Sequence, residues 1–177
     1  TGLPNRRMLD RVLLERRDGP PAPLVRIDLD RFKQVNDVLG HEAGDFVLKT
    51  VADIMRRHTR DDDLPARIGG DEFVIACAPE TTLWGAQQMA ERLLEEILKP
   101  VVFGTKRCVY GASFGIAMSE GEASDTEGLL RDADFALYRA KDAGRGRVVV
   151  FTPELRAQAN SDRALADGFV EALARGE

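Results

Sequence analysis

The chain has 177 residues, a length that suits one domain or one domain with an appendage. Its 44% apolar and 31% charged residues are those of a globular protein able to bury a core. A formal net charge of −5 argues against a general binder of nucleic acid or anionic membrane, which needs a basic surface, but allows a local basic pocket. No apolar run approaches the roughly 18 residues of a membrane span, and no signal-like segment opens the chain. It begins at "TGLPNRR" without a methionine, so the expectation is a piece excised from something longer. Cys77 and Cys108, the only cysteines, fall in apolar strand-like runs and are expected to be buried free thiols.

In chain order, "RDGPPAP" (17–23) reads as a surface loop and "PLVRIDLDRF" (23–32) as a strand. "FKQVNDVLG" is a helix closed by Gly40, and "GDFVLKTVADIMRRH" is a second with Phe46, Val47, Val51, Ile54 and Met55 on one stripe. "PARIGGDEFVIACA" (65–78) gives two strands around a tight turn, a β-hairpin. "TTLWGAQQMAERLLEEILKP" returns to the helical period and stops near Pro100. "RCVYGASFGIAMS" (107–119) is expected to be a single strand, 126–144 a helix, and "RVVVF" (147–151) the last strand. The order is strand, helix, helix, hairpin, helix, strand, helix, strand. It predicts an α+β fold of ferredoxin-like kind, a central, mainly antiparallel sheet covered by helices. Residues 1–152 form this domain. Residues 153–177 are alanine-rich and expected to be a helix that docks back or leads to a further domain.

The chemistry gathers at the strand ends. Asp28 and Asp30 share one face of the first strand, because strand side chains alternate. Asp71 and Glu72 stand side by side at the hairpin turn, and neighbouring strands would bring these acids together. Carboxylates about 4 Å apart repel by a few kcal/mol at a surface-like dielectric. A hard cation such as Mg²⁺ would offset that and serve phosphoryl chemistry, although acids also simply favour turns. Gly69 and Gly70 are expected to supply positive φ and to leave room for a nucleotide; turn service alone would also explain them. The helix start after Asp30 could offer N–H groups to phosphate, with Lys33, Lys141 and Arg145 as partners. Lys141 and Arg145 are expected one helical turn apart. Asp45 could accept from a guanine N1–H and N2–H₂ edge and Asn36 could donate and accept, unless either merely caps a helix.

These stretches together resemble one family. "RIGGDEF" (67–73) is similar to the signature of GGDEF domains, the diguanylate cyclases. It is supported by "TGLPNRR" (1–7), "IDLDRFKQVNDVLGHEAGD" (27–45), "SFGIA" (113–117) and "ALYRAKDAGRGRV" (136–148). The resemblance runs from Thr1 to about Phe151 and implies a nucleotidyl-cyclase fold related to polymerase palm domains. It implies condensation of two GTP into cyclic di-GMP and two pyrophosphates, with Mg²⁺ or Mn²⁺ as cofactor. By position, Asp28, Asp71 and the Leu29 carbonyl match the metal ligands, and Asp71, Glu72 and Lys33 the catalytic set. Asn36 and Asp45 match the guanine readers; Lys33, Lys141, Arg145, Gly69 and Gly70 match the remaining GTP contacts. Asp30 also lies within the motif.

"RDDD" (60–63) places Arg60 and Asp63 in an RxxD arrangement, separated from Gly69 by five residues. In the family this is an inhibitory product site, and Arg92 is the candidate second arginine. The resemblance further implies a homodimer for turnover, a cytoplasmic setting for this domain, and an EAL phosphodiesterase domain after "ADGFVEALARGE". Two other readings stand beside the cyclase: a silent GTP-binding module controlling that phosphodiesterase, and a cyclic di-GMP receptor acting through Arg60 and Asp63.

Overall fold

A computed structural model describes residues 1–119 and 125–157. The expected helix over 153–177 therefore lies largely outside the described residues. No element is evident from the sequence over residues 1–16. In the structure they carry helix α1 (Arg6–Glu15), started by Asn5, whose side chain accepts from the Met8 N–H at 3.1 Å. Strand β1 (Pro23–Asp30) follows, then α2 (Phe32–Leu39) and α3 (His41–His58). Gly40, at φ 90°, makes the turn between the two helices, a conformation costly for other residues. The hairpin is β2 (Leu64–Gly69) and β3 (Glu72–Ala76), and α4 (Leu83–Ile97) starts at Thr82, whose hydroxyl accepts from Gly85 N–H.

The expected single strand over 107–119 is two. β4 (Val101–Phe103) and β5 (Lys106–Cys108) pair as a separate small hairpin, and β6 (Gly111–Met118) enters the main sheet. Gly104, at φ 61°, turns that hairpin. Apolar content made 107–119 look continuous, while the break lies in backbone pairing that periodicity does not register. Helix α5 (Thr126–Asp142) and β7 (Val148–Val150) complete the fold.

The main sheet has the order β2-β3-β1-β6-β7, antiparallel except for the β6–β7 pair. Strand alternation divides β1 between two layers. Val25, Ile27 and Leu29 pack with α2, α3 and α4, whereas Leu24 joins Leu9 and Leu13 of α1 and Ala133 of α5. The α+β architecture is as expected, with helices on both faces of the sheet. Among the described residues no helix is long and apolar enough to cross a membrane. Cys77 and Cys108 are free and buried, and burial pushes the Cys77 thiol up to about 12.

Helix α5 packs on β6 with almost no space between them. A Cβ on Gly115 would lie 2.2 Å from both the Ala133 carbonyl oxygen and the Leu137 nitrogen, backbone atoms that cannot step aside. Small residues on the buried stripe of α5, Ala133, Ala136 and Ala140, let the helix approach this far. Gly115→Ala is expected to force α5 off the sheet and to cost about 1–3 kcal/mol or more, the range for overpacked cores. Chemical denaturation checks this, and an unchanged midpoint would contradict the packing described.

Candidate functional site

The site is assembled where β1 ends and β3 begins. The antiparallel register sets Asp28 opposite Glu72, and the Leu29 N–H donates to the Asp71 carbonyl at 3.2 Å. The four acids expected to converge do not share one fate. Asp28 and Asp71 are close enough for their charges to interact. Burial first, and Asp28 second, push the Asp71 carboxyl above its ordinary value. Lys141 on α5 brings its Nζ to 2.7 Å from Asp28 Oδ2. Glu72 keeps 47% of its side chain exposed and stands 3.8 Å from the Arg26 guanidinium.

Asp30 is different. It is 6% exposed; the Ser113 hydroxyl lies 3.0 and 2.9 Å from its two oxygens, and the Gly146 N–H donates to Oδ2 at 3.2 Å. Arg145 Nε lies 3.8 Å away. Asp30 is thus a satisfied knot that ties β1 to β6 and to the turn after α5. The sequence held no signal for this beyond the presence of a serine in "SFGIA".

Helix α2 opens without a side-chain cap, after Arg31 in the left-handed region at φ 65°. Its first N–H groups therefore lack side-chain acceptors, a geometry suited to an anion. Lys33 is exposed in the first turn. Asn36, in the last turn of α2, leans on the first turn of α3, where a Cβ on Gly44 would fall 1.9 Å from its Oδ1. Asp45 is the next residue and is exposed, so Asn36 and Asp45 flank one edge of the α2–α3 junction. Gly44 was missed in the sequence, although "GHEAGD" contains it.

Two expectations about local geometry are corrected. Gly69 and Gly70 do not adopt positive φ. Each has open space where a side chain would stand, the nearest atom being Glu72 Oε2, 4.0 Å from Gly69. Neither backbone conformation nor packing therefore demands glycine at these two positions, and the turn is held by Arg67, which donates to the Gly70 carbonyl from Nε and a terminal nitrogen at 3.0 and 2.7 Å. Arg145 is not one turn along α5 from Lys141. It lies past the helix end at φ 65°, its N–H donating to the Ala140 carbonyl at 3.0 Å, yet it still faces the Asp30 end of the site.

Among the described residues no group of three or more His, Cys, Asp or Glu side chains could hold a metal. At the mouth, the Asp28 and Asp71 carboxylates are hard oxygen donors of the kind a divalent cation takes. Their mutual repulsion is the feature of this chain that a cation would relieve.

The RxxD residues lie away from this mouth. The Asp63 carboxylate accepts from the Arg60 N–H and from the Ala78 N–H, both at 2.8 Å, and so closes the loop before β2 onto the end of β3. A small hollow beside it is lined by Arg60, Asp63 and Arg92, with Thr81 and Met89 from the α4 side. The structure thus brings Arg92 to the same place as Arg60 and Asp63.

A family model described as "Diguanylate cyclase, GGDEF domain" matches residues 1–147. Among curated relatives, the cyclic di-GMP phosphodiesterase PdeR of Escherichia coli K12 is 38% identical over 158 residues, covering 88% of this chain and 24% of that protein. The diguanylate cyclase DgcP of Pseudomonas aeruginosa is 42% identical over 156 residues, covering 85% of this chain and 23% of its own length. The chain thus spans about a quarter of the length of the curated relatives it matches. The solved GGDEF domain of PA1120 (TpbB or YfiN) from Pseudomonas aeruginosa superposes with a TM-score of 0.79 at 33% identity, covering 90% of this chain and 96% of that one. With the "GGDEF" string at the hairpin mouth, this sheet order and a match over residues 1–147, the chain belongs to the GGDEF domain family.

Proposed function

We propose that the chain is a diguanylate cyclase domain, two GTP-loaded copies of which condense their substrates into cyclic di-GMP and release two pyrophosphates. The observation that carries this reading is the acid pair at the hairpin mouth, where burial and then Asp28 hold the Asp71 carboxyl up although Lys141 pairs with Asp28. Asp28, Asp71 and the Leu29 carbonyl hold Mg²⁺ or Mn²⁺. That cation supplies the positive charge that favours an ionised attacking hydroxyl and an ordered triphosphate. Lys33 and the uncapped N–H groups of α2 take phosphate oxygens, while Lys141 and Arg145 meet the triphosphate from the α5 side. Glu72 is the second signature acid, half exposed and free to touch substrate.

Asn36 and Asp45 read the guanine edge, and adenine would leave their polar atoms unpaired. The vacant surface at Gly69 and Gly70 admits the nucleotide. Each copy holds half of the reacting pair, so a homodimer supplies the proximity on which turnover depends. Arg60, Asp63 and Arg92 form the site at which product restrains the enzyme. GTP as substrate puts this domain on the cytoplasmic side, and an EAL phosphodiesterase domain following the chain belongs to the same reading.

The name of PdeR, a phosphodiesterase at 38% identity, favours a second reading in which the domain binds GTP silently and tunes an attached hydrolase. Incubation with GTP and Mg²⁺, free and as a tethered dimer, separates the two by product mass. Cyclic di-GMP is expected; GTP binding without product in the tethered dimer would favour the silent module.

Glu72→Gln is expected to lower product formation by about 100-fold or more, as for a lost acid–base group, while GTP binding persists. Binding retained together with full turnover would remove Glu72 from the chemistry. Gly44→Ala is expected to displace Asn36 and to weaken the preference for GTP over ATP by about 1–3 kcal/mol, the cost of an unpaired polar group. Competition binding checks this, and an unaltered preference contradicts the guanine assignment. Asp71→Asn is expected to raise the melting temperature of the metal-free protein, because a folded-state carboxyl held up destabilises once ionised above that raised value. The same change is expected to erase the Mg²⁺-dependent rise in melting temperature.

A further inference from the structure

β1 carries a charge in its middle that the scheme above does not use. Arg26 is only 8% exposed, with Leu24 and Val25 on one side and Ile27 on the other, all almost wholly buried. Burying a guanidinium costs several kcal/mol unless it is well paired, and an aliphatic side chain would fill the position without that cost. The register sets Arg26 opposite Val74 on β3 and Gly115 on β6. Glu72 stands two residues before Val74, on the diagonal that a long side chain can reach.

Two carboxylates meet the guanidinium. Asp134 on α5 brings Oδ1 to 2.5 Å from Nε, and Glu72 Oε2 lies 3.8 Å from a terminal nitrogen. Nε has no aligned hydrogen-bond acceptor, so Asp134 holds it by charge. Among the described residues Arg26 is the one cation paired with Glu72. The charges on this side of β1, Arg26, Asp28 and Asp30, run plus, minus, minus. They are answered in order by Asp134, Lys141 and Arg145, which run minus, plus, plus.

We propose that Arg26 is a positioning residue for Glu72: braced from behind by Asp134, it holds the signature carboxylate at the hairpin mouth in the orientation that turnover requires. This rests on the reading of Glu72 as the acid needed for catalysis. Glu72 is half exposed and follows a turn with vacant surface around it, so few other contacts restrict its rotamers. A buried, braced cation does so without blocking the side of the carboxylate that faces substrate. Through Asp134, the orientation of Glu72 also becomes sensitive to where α5 sits.

The test uses the full chain tethered as a dimer, with GTP and Mg²⁺, in wild-type, Arg26→Leu, Arg26→Lys and Asp134→Asn forms. Arg26→Leu is expected to lower kcat by about 10–100-fold, the usual loss for an orienting partner. The KM for GTP is expected to stay within about twofold, because ground-state binding is untouched. Arg26→Lys should recover much of the loss, and Asp134→Asn should show a smaller fall of the same kind. The side-chain carboxyl ¹³C resonance of Glu72, assigned from Glu72→Gln, should move in Arg26→Leu and return towards its place in Arg26→Lys. Wild-type kcat in Arg26→Leu, or a loss that Lys does not restore with the resonance unmoved, overturns the proposal and leaves the cyclase reading standing. If the wild-type dimer makes no product, the resonance still decides. A moved signal keeps the coupling while the cyclase reading fails, and an unmoved one ends both.

Discussion

The seating of α5 on the bare backbone of Gly115 is the contact on which the site geometry depends. No side chain separates helix from strand there, so backbone meets backbone and the helix axis has little freedom to shift. The same helix carries Asp134 and Lys141, which reach Arg26 and Asp28 on the neighbouring strand β1. A shift of α5 by a methyl group's width would change both ion pairs together. Packing on one strand thus sets the electrostatics of the strand beside it.

The β1 acids show how environment divides chemically identical groups. Asp28 and Asp30 lie two residues apart on one face. Asp30 receives a hydroxyl, a backbone N–H and a nearby guanidinium, and is a finished structural tie. Asp28 has a single lysine, and its charge, after burial, raises the Asp71 carboxyl above its ordinary value. Lys141 balances Asp28, and Asp71 keeps the unfavourable share of the pair. The RxxD loop follows the same logic with the roles divided. Asp63 is committed to two backbone N–H groups, while the Arg60 side chain stays at the surface beside Arg92.

Much of the fold was legible because periodicity follows burial. The stripes of α3 and α4 and the apolar runs of β1 and β3 occupy the cores their spacing indicated, except Phe46, which is only half-buried and packs against Phe103. α1 escaped notice because its exposed face carries several arginines and only Leu9 and Leu13 are buried, too short a stripe to register. The β4–β5 hairpin escaped because strands of three residues leave almost no alternation to read. Asn36, Asp45, Lys33 and the acids can be named as candidates from residue type and order, and the fold puts Asn36 against Gly44 and Asp28 across from Glu72.

The sequence by itself determined the α+β class, the hairpin with its paired acids, and the family, because local spacing and residue type carry that information. Tertiary structure decided what each charge does. Only the strand register sets Asp28 across from Glu72, and only the approach of α5 brings Lys141 to one acid and Asp134 to Arg26. Only the return of the chain after α5 satisfies Asp30 through Gly146. Gly69 and Gly70 are expected from the sequence to supply positive φ and to leave room for a nucleotide; the fold gives them no positive φ and open space around them. The reason is physical: propensity and pattern act over a few neighbouring residues, whereas a charge responds to whatever lies within several ångströms, wherever it falls in the chain.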